Sequence, residues 1–323
     1  MAFFNKDKVT TTDQQWERSV LERVALASVV EQRRSRRWGI FFKLSFLLYI
    51  IVVGGVALSP MSANKLHTLG SHTAVVDITG IIMSGAEANA EDIIKSMNNA
   101  VSDPNTKGLI LRFNSPGGSP VQSSYVYQAV KDIKGNNPSL PIYAVVEDLC
   151  ASGGYYIAAA ADKIFVNQSS IVGSIGVVMN GFGFTDAMGR LGIERRLYTA
   201  GSHKGFLDPF SKVDKAERRH VQTMLDDIHH EFIDAVKQGR GDRLKETPDL
   251  FSGLVWAGSE SVRLGLTDGI GDVRSVAKNE IGEEKLVDFT VQKPFFEKLA
   301  KNMGAATAEF AQNLLMKNSI SLN

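Results

Sequence analysis

From residue 72 onward, short apolar runs alternate with segments that have helical periodicity. The runs at 73–83, 108–113 and 142–146 predict buried strands, and the segments between them at 86–101 and 121–133 predict helices. Strands and helices that alternate in this way build a parallel sheet covered by helices. The sequence therefore predicts an α/β domain with a largely parallel sheet.

The second half of this region continues the pattern less regularly. A long helix is predicted at 214–238, because Asp214 is a good capping residue, Glu217 follows three positions later, and apolar residues recur at helical spacing. Residues 251–273 are expected to close the domain. The remaining predictions are strands at 163–166, 175–178 and 194–198, a helix at 185–191 and an irregular loop at 199–212.

A different kind of segment precedes the domain. Residues 39–58 contain Lys43 as their only charge, and about 20 apolar residues suffice to span a bilayer. The alternative is a cleavable signal peptide, but its basic region would have to run through residues 1–37, which is far longer than usual. A retained anchor is favoured. The arginines at 33, 34, 36 and 37 place its N-terminal side in the cytoplasm and the following domain outside it.

These patterns divide the chain into consecutive segments. We expect a cytoplasmic arm at 1–37, a transmembrane anchor at 38–59, a linker at 60–71, the α/β domain at 72–290 and a C-terminal helical tail at 291–323. The apolar residues of the tail are expected to pack on the core or on a neighbouring subunit, with the membrane as the third, less favoured alternative.

Composition excludes several classes of site. A net charge of +1 predicts no bulk affinity for nucleic acid. The single cysteine, Cys150, excludes a disulfide within the chain and a cysteine-based metal cluster. The pair His229 and His230 lacks the i, i+4 spacing of helical metal ligands. The sequence therefore predicts neither a metal site nor a cofactor.

The strongest candidate for chemistry is Ser152. It lies in Asp-Leu-Cys-Ala-Ser-Gly-Gly-Tyr-Tyr at 148–156, between a predicted strand at 141–146 and a predicted helix at 157–161. A strand that turns through Ser-Gly-Gly into a helix presents a hydroxyl at the positive end of the helix dipole, which suits a nucleophile. The alternative is a serine that only caps the helix, and this stretch alone does not separate the two.

Two further stretches suit the same chemistry. In Asn-Ser-Pro-Gly-Gly-Ser at 114–119, the amides of Gly117 and Gly118 can approach a ligand closely, as in an oxyanion hole, although an ordinary glycine-rich turn has the same composition. The amide of Gly153 is a natural second donor. The loop at 200–206 offers His203 and Lys204 as bases side by side.

Elementary chemistry prefers the histidine of these two bases. A free lysine with a pKa of ~10.4 is neutral in only about 0.04% of molecules at pH 7, and lowering that pKa by three units costs ~4 kcal/mol. A histidine accepts a proton near neutrality without any special environment. The residues alone therefore do not decide which of His203 and Lys204 is the general base, although their chemistry favours His203.

Taken in order, the motifs resemble a known family. Asn-Ser-Pro-Gly-Gly-Ser at 114–119, Ala-Ser-Gly-Gly-Tyr-Tyr-Ile-Ala at 151–158, Gly-Ser-Ile-Gly-Val at 173–177 and Gly-Ser-His-Lys at 201–204 are similar to the signal peptide peptidase A family. The Leu-Gly-Leu-Thr-Asp run at 264–268 is similar to the element that closes that family's domain. The resemblance covers roughly residues 72–275.

The resemblance implies a fold and a site. The fold is the spiral of ββα units shared with the Clp protease subunit and the crotonases, preceded by one transmembrane helix. Residues 72–290 would form a serine peptidase domain with a Ser-Lys dyad, in which Ser152 is the nucleophile and Lys204 the general base. Backbone amides at Gly153 and in the Gly117-Gly118 pair would bind the oxyanion.

The resemblance also implies a cellular location and an activity. The protein would be a single-pass protein of the bacterial inner membrane, with its catalytic domain outside the cytoplasm, and would cleave remnant signal peptides or other membrane-proximal peptides. It would form a homo-oligomer. Single-domain relatives assemble the dyad between neighbouring copies, but the sequence leaves open whether Ser152 and Lys204 meet within one chain or across chains. The alternatives from other classes are a crotonase-type acyl-CoA enzyme and a catalytically silent scaffold that binds membrane proteins.

Overall fold

The computed structural model describes residues 11–58 and 70–291. The chain divides into two compact units, and the described residues of the first are those of helix α1 (Thr11–Leu58). Residues 70–291 belong to the second unit. The predicted C-terminal tail and most of the predicted linker lie outside the described residues.

Helix α1 runs without interruption through residues that the sequence assigns to the arm and to the anchor. Its stretch Glu31–Gly54 is long and apolar enough to cross a membrane, with a mean hydropathy of 1.6, by length and composition only. The large apolar side chains of this stretch, such as Trp38, Phe42 and Leu47, are exposed in the protein.

The second unit is built around one mixed sheet. In chain order its elements are β1 (His72–Thr79), α2 (Ala90–Ser102), β2 (Thr106–Ser115), α3 (Pro120–Asn136), β3 (Ile142–Ala151), α4 (Gly153–Ala158), β4 (Lys163–Val166), β5 (Ile171–Gly173), α5 (Thr185–Arg190), α6 (Lys215–Arg240), β6 (Val255–Ala257), α7 (Gly258–Arg263), β7 (Gly269–Ile270), α8 (Val273–Val276) and β8 (Leu286–Asp288). A 3-10 turn at Gly241–Arg243 and a π-helical turn at Ala277–Ile281 follow α6 and α8.

The strands pair in the order β6-β5-β3-β2-β1-β8, and β4 adds a branch that joins β3 to β7. Every pairing is parallel except that of β5 with β6. Parallel strands need helices on their faces, and α2, α3 and α4 pack over one face of β1, β2 and β3. On the other face, Val75, Ile110 and Val145 pack under Val276 of α8.

Strand β3 pairs with two different strands on its side away from β2. Its first half, through Val146, pairs with β4, and its second half, from Leu149, pairs with β5. Against β2, Phe113 is opposite Val146 while Ser115 is opposite Cys150, so β3 carries two more residues than β2 between these pairs (150 − 146 = 4 against 115 − 113 = 2). This bulge bends the strand on its way to Ser152.

The predicted helix at 214–238 is confirmed as α6. The Asp214 carboxylate accepts hydrogen bonds from the amides of Ala216 and Glu217, as expected of a cap. The C-terminal end of α6 is held by a buried ion pair. Arg240 is buried, and its Nη1 and Nη2 donate to the Asp268 carboxylate at 2.7 and 2.9 Å.

Two predicted strands are wrong. Residues 175–178 and 194–198 join no sheet in the part of the chain that the structure describes. The chain leaves the sheet after Gly173, because Ser174 has a φ of 52° and its amide donates to the Leu254 carbonyl. The apolar residues at 194–198 lie instead in an exposed loop segment, where Tyr198 is 89% exposed.

Candidate active site

Ser152 stands at the junction between β3 and α4 in a sharp turn. Its φ of 51° and ψ of −122° are a strained conformation for a residue with a side chain, which typically costs about 1–3 kcal/mol. The turn is fixed on both sides, since the Ser152 amide donates to the Gly173 carbonyl at 2.8 Å and its carbonyl accepts from the Tyr156 amide at 2.9 Å. The Ser152 side chain makes no capping hydrogen bond to α4. Ser152 is therefore the residue that precedes α4, but its hydroxyl does not cap the helix.

The turn at Gly117 and Gly118 lies directly against Ser152. Both glycines have positive φ, 92° and 156°. A Cβ on Gly117 would stand 2.5 Å from the Gly153 nitrogen, and one on Gly118 would stand 2.1 Å from the Ile82 carbonyl oxygen. No side chain fits at either position. The turn that the sequence predicts as an oxyanion loop is therefore in contact with the serine.

The amides of this turn differ in availability. The Gly117 amide already donates to the Ser115 hydroxyl at 3.1 Å, and that hydroxyl donates to the Gly80 carbonyl. The Gly118 and Gly153 amides donate to no other described group. A Cβ on Gly153 would lie 3.2 Å from the Gly118 nitrogen, so these two amides are neighbours. Gly118 and Gly153 are thus the donors left for an oxyanion.

An open cavity of about 730 Å³ lies in front of Ser152. Gly118 and Gly153 line it together with residues of α3, α4, α6 and the segments that follow β5 and precede β6. These further residues are Pro120, Val121, Ser124, Tyr125, Tyr156, Ser174, Gly176, Val177, Val178, Ile228, Glu231, Phe232, Ser252 and Gly253. The cavity is wide enough for several side chains of an extended peptide.

Two further serines near Ser152 were missed by sequence reasoning. Ser174 lines the cavity with a φ of 52°, and its only signal was its place in the Gly-Ser-Ile-Gly motif. Ser123 is buried beside Gly153, and its hydroxyl has no hydrogen-bond partner among the described residues. That hydroxyl would stand 2.3 Å from a Cβ on Gly153, which explains why only glycine fits after Ser152.

The two candidate bases lie elsewhere in the same chain. His203 and Lys204 sit on the exposed loop between α5 and α6, and neither is among the residues that line the cavity. The His203 Nδ1 is 3.1 Å from the Glu217 carboxylate of α6, and its side chain is 67% exposed. The structure thus brings Ser152 together with Gly118 and Gly153 but brings neither base to them within one chain.

Cys150, two residues before the serine, is fully buried. Burial raises the pKa of its thiol far above the ordinary value, so the thiolate is not formed near neutrality. Cys150 is a packing residue beneath the turn.

Comparison with known proteins assigns this chain to a family. A model of peptidase family S49 matches residues 135–288, which include Ser152 and Lys204. The chain is also 30% identical over 232 residues to "Putative signal peptide peptidase SppA" from Enterococcus faecium, across 71% of this chain and 67% of that protein. The chain belongs to peptidase family S49. The S49 relationship confirms the family predicted from the motifs and the Clp protease/crotonase-like α/β fold.

Other relatives of this S49 chain are longer proteins. It is 28% identical over 236 residues to "Protease 4" of Haemophilus influenzae, across 70% of this chain and 38% of that protein. It is 38% identical over 226 residues to "Na(+)/H(+) antiporter NhaA" of Brucella abortus, across 68% of this chain. The S49 chain thus spans about a third of the length of that antiporter, 31%.

Proposed function

We propose that this protein is a membrane-anchored serine endopeptidase that cleaves remnant signal peptides or other membrane-proximal peptides through a Ser-Lys dyad. The observation that carries the proposal is the position of Ser152. It is held in a strained turn, faces an open cavity and lies beside two amides that have no other partner among the described residues. This arrangement suits acyl transfer, in which a hydroxyl attacks and an oxyanion develops next to it.

In the proposed reaction, the Ser152 hydroxyl attacks the scissile carbonyl carbon while neutral Lys204 takes the hydroxyl proton. The carbonyl oxygen becomes an oxyanion that accepts hydrogen bonds from the Gly118 and Gly153 amides. One such donor is typically worth about 3 kcal/mol of barrier. The C–N bond then breaks as the Lys204 ammonium returns the proton to the leaving amine. Water, activated by the same lysine, releases the acyl group from Ser152.

The position of Lys204 supports a dyad shared between copies of the chain. Lys204 is exposed and outside the cavity of its own chain, and the segment from 178 to 213 that carries it exposes many apolar side chains. These include Val178, Phe182, Leu191, Ile193, Tyr198 and Val213. Extended apolar surface of this kind marks protein interfaces. We therefore place Lys204 of one copy at Ser152 of the next in a homo-oligomer.

The proposed setting follows from α1. The stretch Glu31–Gly54 would anchor the protein as a single-pass protein of a bacterial inner membrane. The arginines at 33, 34, 36 and 37 would keep its N-terminal side in the cytoplasm and the peptidase domain outside it. Protease accessibility in spheroplasts tests this orientation: digestion of the domain from the outside is expected, and its protection would contradict the proposal.

The serine assignment is tested with full-length protein purified in detergent. Wild type, Ser152→Ala and the exposed control Ser169→Ala are compared for peptide cleavage and for labelling by a fluorophosphonate. Loss of both in Ser152→Ala alone is expected. Cleavage by Ser152→Ala would overturn the nucleophile, whereas absence of both cleavage and labelling in wild type would favour the silent scaffold.

A further inference from the structure

The cavity beside Ser152 contains a single charged residue among those that line it, Glu231. Glu231 lies on α6 with Ile228 and Phe232, at the i, i+3 and i+4 spacing that puts side chains on one helix face. The Glu231 carboxylate therefore lines the cavity from α6, and both ends of this helix are fixed. Its cap at Asp214 and its ion pair from Arg240 to Asp268 hold α6 in place.

Glu231 has one weak contact in the part of the chain that the structure describes. The Tyr156 hydroxyl approaches its Oε1 at 3.5 Å, and no described lysine, arginine or histidine lies within 4.0 Å of its carboxylate. Tyr156 itself is fixed, because its ring packs between those of Tyr127 and Phe232 at 5.2 and 5.0 Å. The cavity thus contains a carboxyl group that has no ion-pair partner among the described residues and lies next to a positioned phenol.

The remaining walls of the cavity are mostly apolar. Val121 and Tyr125 of α3 are more than half exposed, and Val177 and Ile228 line the same space. A side chain that enters the cavity can therefore contact both apolar surface and a carboxylate. Lysine and arginine match this combination, since their methylene stems pack on apolar walls while the charged head reaches a polar partner. Aromatic walls favour a cation further.

We propose that this cavity binds a lysine or arginine side chain of the substrate peptide, with its charged head on Glu231, and so directs cleavage to sites close to a basic residue. The inference rests on the proposed peptidase function and adds the substrate class. Glu231 is exposed to solvent, so the pair is screened and its contribution is modest. We expect about a fivefold preference for a basic over an isosteric neutral residue.

The test uses full-length protein in detergent and fluorogenic peptides of one sequence. Lysine, glutamine or methionine occupies in turn each of the residues that precede the scissile bond. In wild type, kcat/KM is expected to be highest for lysine at one of these positions, and this preference should shrink as salt is raised. In Glu231→Gln the lysine-to-methionine ratio should fall about fivefold. Glu231→Lys should favour a peptide with glutamate at that position.

Asp226→Asn is the matched control, because it removes a charge from the same helix at a residue outside the cavity, bonded only to Gln222 among described side chains. It should keep the wild-type ratio. Equal ratios in wild type and Glu231→Gln, with methionine preferred throughout, would overturn the proposal and indicate a purely apolar subsite.

A binding measurement separates this proposal from the proposed function. Ser152→Ala is titrated with the same labelled peptides, and fluorescence anisotropy reports binding without cleavage. Tighter binding of the lysine peptide that is lost in Ser152→Ala/Glu231→Gln supports the subsite even where wild type cleaves nothing. Equal binding of lysine and methionine peptides contradicts the subsite, whatever the enzyme cleaves.

Discussion

A Cβ placed on Gly117 would stand 2.8 Å from the Cβ of Ser152. Because the φ of Gly117 is also 92°, alanine there is both strained and in collision with the turn at Ser152. We expect Gly117→Ala to lower kcat/KM at least a hundredfold, since displacing the turn misplaces the Gly118 amide that we propose as an oxyanion donor. Peptide hydrolysis and thermal unfolding measure the two effects.

Gly135→Ala is the matched control for that experiment. Gly135 lies in α3 with a negative φ, and a Cβ added to it would meet nothing within 4 Å. Alanine there should leave kcat/KM unchanged and stabilise the protein by about 0.5–1 kcal/mol. Full activity in Gly117→Ala would show that the turn does not support catalysis.

Sharing of the dyad between chains predicts complementation. Ser152→Ala and Lys204→Ala should each be inactive as pure proteins. In oligomers assembled from equal amounts of both, a site that draws its serine and lysine from different chains is intact in about a quarter of cases, so about a quarter of wild-type activity should return. A dyad formed within one chain would restore nothing.

The same assay decides between the two candidate bases. His203→Ala should lower kcat/KM for peptide cleavage less than about threefold, because His203 is exposed and directed to Glu217. Lys204→Ala should lower kcat/KM more than about a thousandfold, as expected for removal of a general base that also activates the nucleophile. A large loss in His203→Ala with an active Lys204→Ala would reverse the assignment.

Asp268 predicts how stability depends on pH. Burial disfavours its ionised form, but the hydrogen bonds and charge of Arg240 outweigh burial and hold the pKa of Asp268 below its ordinary value. A carboxyl whose folded pKa is depressed stabilises the fold above its unfolded pKa, near ~3.9, and this contribution is lost as pH falls through the lower folded pKa. Urea unfolding should show stability declining below about pH 4.

Asp268→Asn should be less stable than wild type by about 3–5 kcal/mol at pH 7, because it leaves the buried Arg240 without its carboxylate. Its stability should also change less between pH 5 and pH 3 than that of wild type. Asp242→Asn, at an exposed position of the neighbouring turn, is the control. Equal pH dependence of Asp268→Asn and wild type would contradict the assignment.

Because Cys150 is buried, we expect the activity to be insensitive to thiol reagents. Its thiol is buried, and burial raises its pKa, so iodoacetamide should leave the folded enzyme unmodified and fully active. In urea the single cysteine should react completely. Inhibition of the folded enzyme by alkylation would place a reactive thiol in the site and argue against Ser152 as the nucleophile.

Sequence patterns were most informative where a residue's neighbours in sequence determine its structure. The predicted strand at 163–166 coincides with β4, because an apolar run bounded by polar residues is a local signal. The cap at Asp214 is local in the same sense. Strands β6, β7 and β8 contain only two or three residues each, too few to show any period, and were not predicted individually.

The site was predictable in part for the same reason. The motifs around Gly117 and Ser152 are each contiguous, and they lie at the ends of neighbouring parallel strands, so their meeting follows from the predicted sheet. Glu231 and Ser123 gave no such signal. Glu231 reaches the cavity only because α6 packs beside α4, and Ser123 is significant only through its distance to Gly153. Both facts belong to tertiary packing.

The bulge in β3 determines how far along the sheet Ser152 lies. The two extra residues between Val146 and Cys150 lift everything beyond them, Ser152 included, by up to about 7 Å relative to a strand that stays in step with β2. Asn114 spans the bulge through its bond to Asp148. Shortening β3 by these two residues would move Ser152 and the adjacent Gly153 together away from the Gly118 amide. Length, and not only residue identity, is therefore under constraint in this strand.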